Sequence, residues 1–318
     1  MHRPVVATPM PELRGLPYVF TGSGADETIA AVERAAATPP PVDEIERFLA
    51  RNTWEARVES LVSVVARPTI AIVVLCYNNR DVIELCVDSL ERFRGDARYQ
   101  VVVVDNGSTD GSLEALQPHA ERGSILLLRN SRNGCSSGRN LGIQATRSEI
   151  VVFLDSDQWA VRSGWLDPAL EILAAHREIG AVAWNAGWFD PGSGRGPIVD
   201  YFPERAMAGA HASARFRTDV AYLATSGFVV PRAVLQKTNG FDEFYDPTCF
   251  EDTDLSFQIK AAGYELAYCP HIGVDHRPHQ TTGSLERYDG FLARNERYFL
   301  EKWSRQAEYF FGPPPGGD

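Results

Sequence analysis

The sequence contains little of what marks a zinc-binding, secreted or membrane protein. Its five cysteines form no C-x-x-C pair and no His/Cys spacing typical of zinc. No apolar run is long enough to span a membrane, and the opening MHRPVVATPMPELRG lacks the apolar core of a secretory signal. Lysine and arginine number 31 against 42 acidic residues, and this net charge of −11 disfavours nucleic-acid binding. These absences predict a cytoplasmic protein with reduced thiols.

Apolar, β-branched stretches alternate with helical spacing in the first half of the chain. The stretches are TIAIVVLC (69–76), QVVVVD (100–105), SILLL (124–128) and EIVVFLD (149–155). Helices are predicted between them at 80–93, 111–121 and 137–147. Because continuous apolar strands are buried on both faces, this alternation predicts a doubly wound, mostly parallel α/β sheet. Further on, the spacing predicts a helix near 252–262, a strand pair around 264–275 and an amphipathic helix near 286–305.

Composition divides the chain into three predicted parts. Residues 1–67 form an N-terminal extension with the linker ATPPPVDE, followed by one or two helices between this linker and residue 67. Residues 68–280 carry the α/β pattern and form the main domain. Residues 281–318 contribute the last helix and a tail ending in GPPPGGD.

Polar, turn-forming residues follow the predicted strands, where ligands of open α/β sheets bind. The four segments are CYNN (76–79), DNGSTD (105–110), RNSRNG (129–134) and DSD (155–157). None of them contains a G-x-G-x-x-G or a Walker G-x-x-x-x-G-K-[ST] motif. Asp155 and Asp157 are two residues apart in an extended segment, so their carboxylates point to the same side. A divalent cation would relieve their repulsion, whereas a simple turn is the alternative.

A second acidic cluster lies in CFEDTDLSFQIKAAGY, at the start of a predicted helix. Glu251, Asp252 and Asp254 are three acids in four positions. Capping and the helix dipole need no more than one or two of them. The cluster therefore contains more acidic residues than the start of a helix requires.

Four segments in order resemble the family 2 glycosyltransferases with the GT-A fold. They are IAIVVLCYNNRDVIELCVDSL, VVVVDNGSTDGS, RNGCSSGRNLGIQATRSEIVVFLDSD and GFDEFYDPTCFEDTDLSFQIKAAGYEL, over about 70–280. The resemblance implies a Rossmann-like, mostly parallel sheet with a smaller mixed acceptor-side region and helical terminal additions. It implies inverting transfer of a sugar from a UDP- or dTDP-linked donor to a hydroxyl acceptor, a glycan or another molecule. It also implies dependence on Mn²⁺ or Mg²⁺.

The resemblance also implies roles for individual residues. Asp157 would bind the metal, Asp155 the metal or the ribose, and His276 would complete the metal site. Asp252 would be the catalytic base, and Glu251 would orient the acceptor or Asp252. The predicted nucleotide-sugar site consists of Leu75, Tyr77, Asn79, Asp105, Asn106, Arg139, Asp155, Ser156 and Gly227, with Asp105 accepting from the uracil N3–H.

Several residues have a second interpretation. Asp105 could instead form an Asx-turn, Arg139 could pair with a carboxylate such as Asp105, and His276 could be a loop histidine. Trp184 and Trp188 are candidates for a platform that contacts the sugar or acceptor, or for ordinary core packing. His279 is a candidate contact of the diphosphate or the acceptor. The aromatic and basic stretch 286–311 fits peripheral membrane contact or an acceptor site, or a helix packed on the domain.

Two other protein classes remain as alternatives. A sugar nucleotidyltransferase shares the metal and the sheet but needs a Gly-rich loop after the first strand, and CYNNRD lacks those glycines. A non-catalytic nucleotide-sugar binding module should lack a base opposite the metal, yet Glu251 and Asp252 are present. The sequence predicts neither the sugar nor the oligomeric state.

Overall fold

The computed structural model describes most of the chain. The described residues are 4–10, 13, 18–38, 41, 43, 46, 53, 68–95, 97, 99–189, 198–201, 216–225, 227–277 and 288–310. The chain divides into two compact units, Met1–Arg67 and Pro68–Asp318. The proposed boundary at residue 280 stays a prediction.

The first unit contains a parallel strand pair and one helix. Strands β1 (Val5–Ala7) and β2 (Val19–Thr21) pair in parallel, and α1 spans Ala25–Ala37. Two small side chains of α1, Ala31 and Ala35, are buried. Sequence reasoning predicted neither the strands nor α1. Most of the stretch predicted as helical after the linker lies outside the described residues.

The second unit contains the remaining elements. Its strands are β3 (Ile70–Cys76), β4 (Tyr99–Asp105), β5 (Ile125–Arg129), β6 (Ile150–Asp155), β7 (Gln158–Ala160), β8 (Ile179–Ala183), β9 (Ala186–Phe189), β10 (Ile198–Tyr201), β11 (Tyr222–Leu223), β12 (Phe228–Pro231), β13 (Glu265–Tyr268) and β14 (Val274–His276). Its helices are α2 (Arg80–Arg92), α3 (Ser112–Glu121), α4 (Cys135–Gln144), α5 (Asp167–Ala175), α6 (Arg232–Leu235), α7 (Glu251–Ala261), α8 (Tyr288–Lys302) and α9 (Ala307–Phe310).

A seven-stranded sheet forms the core, in the order β13-β8-β12-β6-β3-β4-β5. Only β12 runs antiparallel to its neighbours β6 and β8 within this sheet. All seven residues of β3 are buried, as a continuous apolar run between parallel neighbours requires. The described residues form three further small sheets. One is β1-β2 in the first unit, and the others are β10-β9-β11 and β14-β7 in the second. The predicted mostly parallel α/β sheet is thus confirmed.

The strand register brings acidic residues at the ends of neighbouring strands together. Asp105 is paired with Cys76, and Asp155 is paired with Leu75, so both acids flank the end of β3. Helix α4 lies close to this strand because its glycines leave room. A Cβ on Gly142 would lie 2.3 Å from Val73 Cγ1.

Two details differ from the predicted elements. The strands predicted as a pair around 264–275 exist, but they do not pair with each other. Strand β13 extends the main sheet beside β8, whereas β14 pairs with β7, directly after the DSD segment. Periodicity identifies a strand but not its partner, which depends on contacts distant in sequence.

The C-terminal helices pack against the sheet domain through an aromatic cluster. Phe299, Trp303 and Phe310 are buried together with Phe250 and Phe257. These side chains are therefore packed on the domain, as one of the two interpretations of this segment expects. Peripheral membrane contact stays a prediction. Among the helices in the described part of the chain, none is long and apolar enough to cross a membrane.

Candidate active site

Arg139 joins the two acidic clusters. Its Nη2 donates to Asp155 Oδ1 and its Nη1 donates to Glu251 Oε1, both at 2.9 Å. Nη2 also lies 2.9 Å from Thr225 Oγ1. The side chains of Arg139 and Glu251 are 2% and 6% exposed, so the guanidinium and one of its carboxylate partners are shielded from water. The DSD strand end and the start of α7 therefore border one site.

The charge on Arg139 is maintained by its surroundings. Burial alone would lower the pKa of its guanidinium, but the nearby carboxylates of Asp155, Glu251 and Asp252 raise that pKa above its usual value. The expectation that Arg139 pairs with a carboxylate is met, although its partners are Asp155 and Glu251 and not Asp105. A role in shaping the nucleotide pocket stays a prediction.

Asp252 is the second residue of α7, next to Glu251 of this ion pair. Its Oδ2 accepts from the backbone N–H of Thr225 at 3.4 Å, and its Oδ1 accepts from the N–H of Thr253 at 2.8 Å. Asp252 is half-buried, whereas Glu251 is buried. Thr225 thus contacts Asp252 through its backbone and Arg139 through its hydroxyl. The Asp252 carboxylate is therefore more accessible to a bound molecule than that of Glu251.

Asp254, the third acid of the cluster, has a different environment. It is fully buried and accepts from Tyr245 Oη at 3.1 Å and from Trp303 Nε1 at 2.8 Å. Lys302 Nζ lies 2.9 Å from its Oδ1. Asp254 therefore attaches the C-terminal helix α8 to α7.

Asp157 and His276 lie close together at the end of β6. Asp157 Oδ1 is 3.6 Å from His276 Nε2, and the two side chains are 8% and 12% exposed. Among the described residues this Oδ1 is buried without a hydrogen-bond partner. A buried carboxylate oxygen left unpaired is costly, and a cation between carboxylate and imidazole would satisfy it. These two residues fit a divalent metal, while Asp155 is turned to Arg139.

Another group of potential metal ligands lies between α2 and α3. Asp88, Glu91 and His119 have ligand atoms within 4.8 Å of one another, and within the described ranges theirs is the one such group of three. The predicted ligands Asp155, Asp157 and His276 are thus more widely spaced. However, Arg122 Nη2 lies 2.9 Å from Glu91 Oε1 and 2.6 Å from His119 Nδ1. A guanidinium already supplies the positive charge there.

The nucleotide-side candidates surround the end of β3. Both oxygens of Asp105 accept from the N–H of Ser108, and Oδ2 also accepts from that of Gly107, as in the predicted Asx-turn. Asn79 Nδ2 donates to Ser156 Oγ at 2.5 Å and so ties the loop after β3 to the DSD segment. The other candidates differ in burial: Leu75 and Asn106 are buried, and Tyr77 is half-buried.

Gly227 and Trp184 lie next to the pair formed by Asp157 and His276. Gly227 has φ of +65°, and a Cβ there would lie 2.5 Å from Trp184 Cδ1. The Trp184 ring is perpendicular to that of His276, with centroids 6.3 Å apart, and it is buried. Trp188 belongs to β9, and nothing is described of its side chain; His279 lies outside the described residues.

Known proteins place this chain in a family. The profile of Glycosyl transferase family 2 matches residues 71–237, more than half of the 318 residues. The chain therefore belongs to glycosyl transferase family 2. The match includes the DSD segment, Arg139 and Gly227, whereas Glu251, Asp252 and His276 lie beyond its end.

Individual relatives agree with this family and with a GT-A fold. The pre-mycofactocin glycosyltransferase of Mycobacterium tuberculosis (strain CDC 1551 / Oshkosh) is 27% identical over 257 residues, covering 74% of this chain and 49% of the relative. The chain spans half or less of the length of the curated relatives it matches.

Two solved glycosyltransferase structures are similar in fold. GalNAc-T7 with UDP, GalNAc and Mn²⁺ superposes with a TM-score of 0.60 at 17% identity, covering 76% of this chain and 49% of that one. The mannosyltransferase PcManGT of Pyrobaculum calidifontis, in complex with GDP-Man and Mn²⁺, has a TM-score of 0.55 at 21% identity. That match covers 79% of this chain and 68% of PcManGT.

Sequence reasoning missed some residues of this glycosyl transferase family 2 site. Thr225 was not among the predicted site residues, although Gly227, two positions later, was. Asp246 was also missed, and its Oδ1 accepts from Ser136 N at 2.8 Å and from Ser137 N at 3.4 Å, at the start of α4. A threonine two positions before a glycine and an acid before a proline are too common to mark such roles.

The buried ion pair leads to a first prediction. Replacing Arg139 by methionine should lower the free energy of unfolding by about 3–5 kcal/mol, because the buried Glu251 would lose its partner. The double variant Arg139→Met/Glu251→Met should recover part of this loss, since both charges are then removed. Urea titration followed by tryptophan fluorescence measures both effects.

The exposed pair Arg122–Glu91 supplies the control. Its side chains are 45% and 31% exposed, so Arg122→Met should cost only about 0–1 kcal/mol. Strictly additive effects of Arg139→Met and Glu251→Met would show that the two side chains are not coupled.

Proposed function

We propose that this chain is a metal-dependent glycosyltransferase that moves a sugar with inversion from a nucleotide-sugar to a hydroxyl acceptor. The observation that carries the proposal is the Arg139 bridge between Asp155 and Glu251. It puts the acids of the DSD strand end and those of α7 on one site. A binding module without catalysis has no need for a second acidic cluster there.

The charges of the site support a metal ion. Among the residues that the structure describes at this site, Asp155, Asp157, Glu251 and Asp252 contribute four carboxylates and Arg139 contributes one guanidinium. A nucleoside diphosphate would be repelled by this excess of negative charge. Asp157 and His276 would hold Mn²⁺ or Mg²⁺, as the unpaired Asp157 Oδ1 suggests. When bound, the ion would stabilise negative charge on the leaving diphosphate. Mn²⁺ accompanies both similar structures, although their nucleotides differ.

The acids of α7 would act on the acceptor. In an inverting displacement the acceptor oxygen bonds to the anomeric carbon as the bond to the diphosphate oxygen breaks. Asp252 would take the acceptor proton while the new bond forms. Glu251 is held by Arg139 and would orient Asp252 or the acceptor. Because Arg139 holds Glu251, it also fixes the start of α7, from which Asp252 extends.

Metal binding tests the DSD assignment. Asp157→Asn should abolish Mn²⁺-dependent binding of UDP and leave thermal stability intact, because the side chain lies at a strand end. Titration calorimetry with UDP, with and without EDTA, measures it. Asp88→Asn is the matched control in the other acidic group and should bind UDP and Mn²⁺ normally. Loss of Mn²⁺ binding in Asp88→Asn but not in Asp157→Asn would move the metal to that group.

Base selectivity tests Asp105. If its carboxylate accepts from N3–H, UDP and dTDP should bind well and CDP poorly, because cytosine N3 carries no proton. An ionised carboxylate has about four acceptor sites, so the Asx-turn hydrogen bonds leave capacity for a base. Competition titrations with Mn²⁺ compare the three nucleotides, and Asp105→Asn should reduce the preference. Equal affinity for CDP would remove Asp105 from this role.

Turnover tests Asp252. Asp252→Asn should lower kcat by roughly 10²–10⁴-fold while UDP–Mn²⁺ binding is unchanged, because a base acts on the acceptor and not on the donor. Glu251→Gln should cost less. Assays with a panel of nucleotide-sugars and hydroxyl acceptors measure both variants. Normal turnover of Asp252→Asn with an inactive Glu251→Gln would exchange the roles, and two fully active variants would refute the mechanism.

A further inference from the structure

A strained turn leads into the helix that carries the proposed catalytic acids. Cys249 and Phe250 have φ values of 80° and 72°, in the left-handed region that residues with side chains rarely adopt. Phe250 directly precedes Glu251, the first residue of α7. Such a conformation persists only where surrounding structure enforces it. The direction in which Glu251 and Asp252 leave this turn therefore depends on what holds it.

Asn295 of the C-terminal helix α8 holds this turn. Its side chain is fully buried, and its Nδ2 lies 2.8 Å from Tyr245 O, 2.7 Å from Thr248 O and 3.0 Å from Cys249 O. An amide has two N–H donors, so the whole donor capacity of Asn295 serves this one loop. Its Oδ1 accepts from Arg294 Nε at 2.8 Å, which fixes the orientation of the amide.

Arg294 extends the same arrangement. Its Nη2 donates to Phe244 O at 3.0 Å and to Asp246 O at 2.6 Å. Two consecutive residues of α8 thus supply donors to backbone carbonyls of the loop before α7. These carbonyls belong to residues 244, 245, 246, 248 and 249.

The opposite side of the loop is attached to the helix that carries Arg139. Asp246 accepts from the first N–H groups of α4, and Pro247 O accepts from Cys135 N at 2.9 Å. The loop is therefore held between α8 and α4. Because α4 also positions Arg139, both partners of the Arg139–Glu251 pair depend on this one segment.

We propose that Asn295 is a positioning residue of the transfer reaction. It acts through the turn of Cys249 and Phe250 on Glu251 and Asp252, and this proposal rests on the function proposed above. A base displaced by about 1 Å can cost about 10²-fold in rate. The donor side of the site, with Asp157 and the residues around β3, has no contact of this kind with α8 among the described residues. Loss of Asn295 should therefore affect the chemical step and spare donor binding.

The decisive comparison is Asn295→Ala against Trp303→Phe. Asn295 lies in α8 and Trp303 directly follows it, and each substitution removes side-chain hydrogen bonds to the region around α7. Trp303, however, donates to Asp254 and not to the loop carbonyls. Asn295→Ala should lower kcat by about 10- to 100-fold with unchanged donor KM and UDP–Mn²⁺ affinity. It should also shift the acid limb of the pH–rate profile, because the base itself is displaced. Trp303→Phe should lower thermal stability and leave kcat and the pH profile unchanged.

Hydrogen exchange measured by mass spectrometry gives a readout independent of turnover. In Asn295→Ala, exchange of peptides covering 245–255 should rise, while peptides of β3 and β6 keep their protection. Trp303→Phe should leave 245–255 as in the unsubstituted chain. If no donor of the panel is turned over by the unsubstituted chain, the proposed function fails, and the exchange data still decide whether Asn295 holds the turn.

Two results would overturn the proposal. One is normal kcat with an unchanged pH profile in Asn295→Ala, and the other is unchanged exchange of 245–255. If Asn295→Ala does not fold, Arg294→Met is the milder variant, because it keeps the amide donors of Asn295. It removes the donors to Phe244 O and Asp246 O and the one that orients Asn295 Oδ1. It should give the same pattern with smaller amplitude, and an unaltered kcat and exchange there would count against the positioning role.

Discussion

The site depends on one buried guanidinium. Arg139 contacts Asp155 from the end of β6 and Glu251 from the start of α7, residues 16 and 112 positions away in the chain. Burying this charge is unfavourable unless its partners are in place, so the ion pairs require both acidic segments to approach α4. Without Arg139 the repulsion between carboxylates would separate them. The geometry of the candidate site is thus tied to the stability of the domain.

Sequence patterns predicted the sheet and the positions of the polar strand ends well. Apolar β-branched runs indicate buried parallel strands, and parallel strands deliver their carboxyl ends to one edge, so Asp105 and Asp155 could be expected together. The partners of Arg139, the role of Thr225 and the hydrogen bonds of Asn295 could not be predicted. Each depends on contacts between distant segments, and local periodicity contains no information on which segments meet.

The acids of α7 illustrate the same limit. Glu251, Asp252 and Asp254 are equivalent in sequence as three carboxylates on a first helical turn. In the structure they have separate environments, since Glu251 binds Arg139, Asp252 is half-buried beside Thr225, and Asp254 is buried among donors from α8. Burial opposes the charge of Lys302, yet Asp254 and Asp242 raise its pKa above the usual value, so α8 stays attached by an ionised lysine. One acidic motif therefore serves both the site and the attachment of a terminal helix.

The glycines before and within α4 limit which substitutions this family member can accept. Gly134, Gly138 and Gly142 face Asp246, Leu75 and Val73 so closely that a Cβ would lie 2.2, 2.8 and 2.3 Å from their side chains. On this side the helix backbone therefore packs directly against its neighbours, and this close packing sets the distance of Arg139 from the sheet. Any bulk added there would lift the arginine away from β3 as a rigid spacer would. Variation in donor or acceptor preference should accumulate in the surrounding loops, while this helix surface stays small.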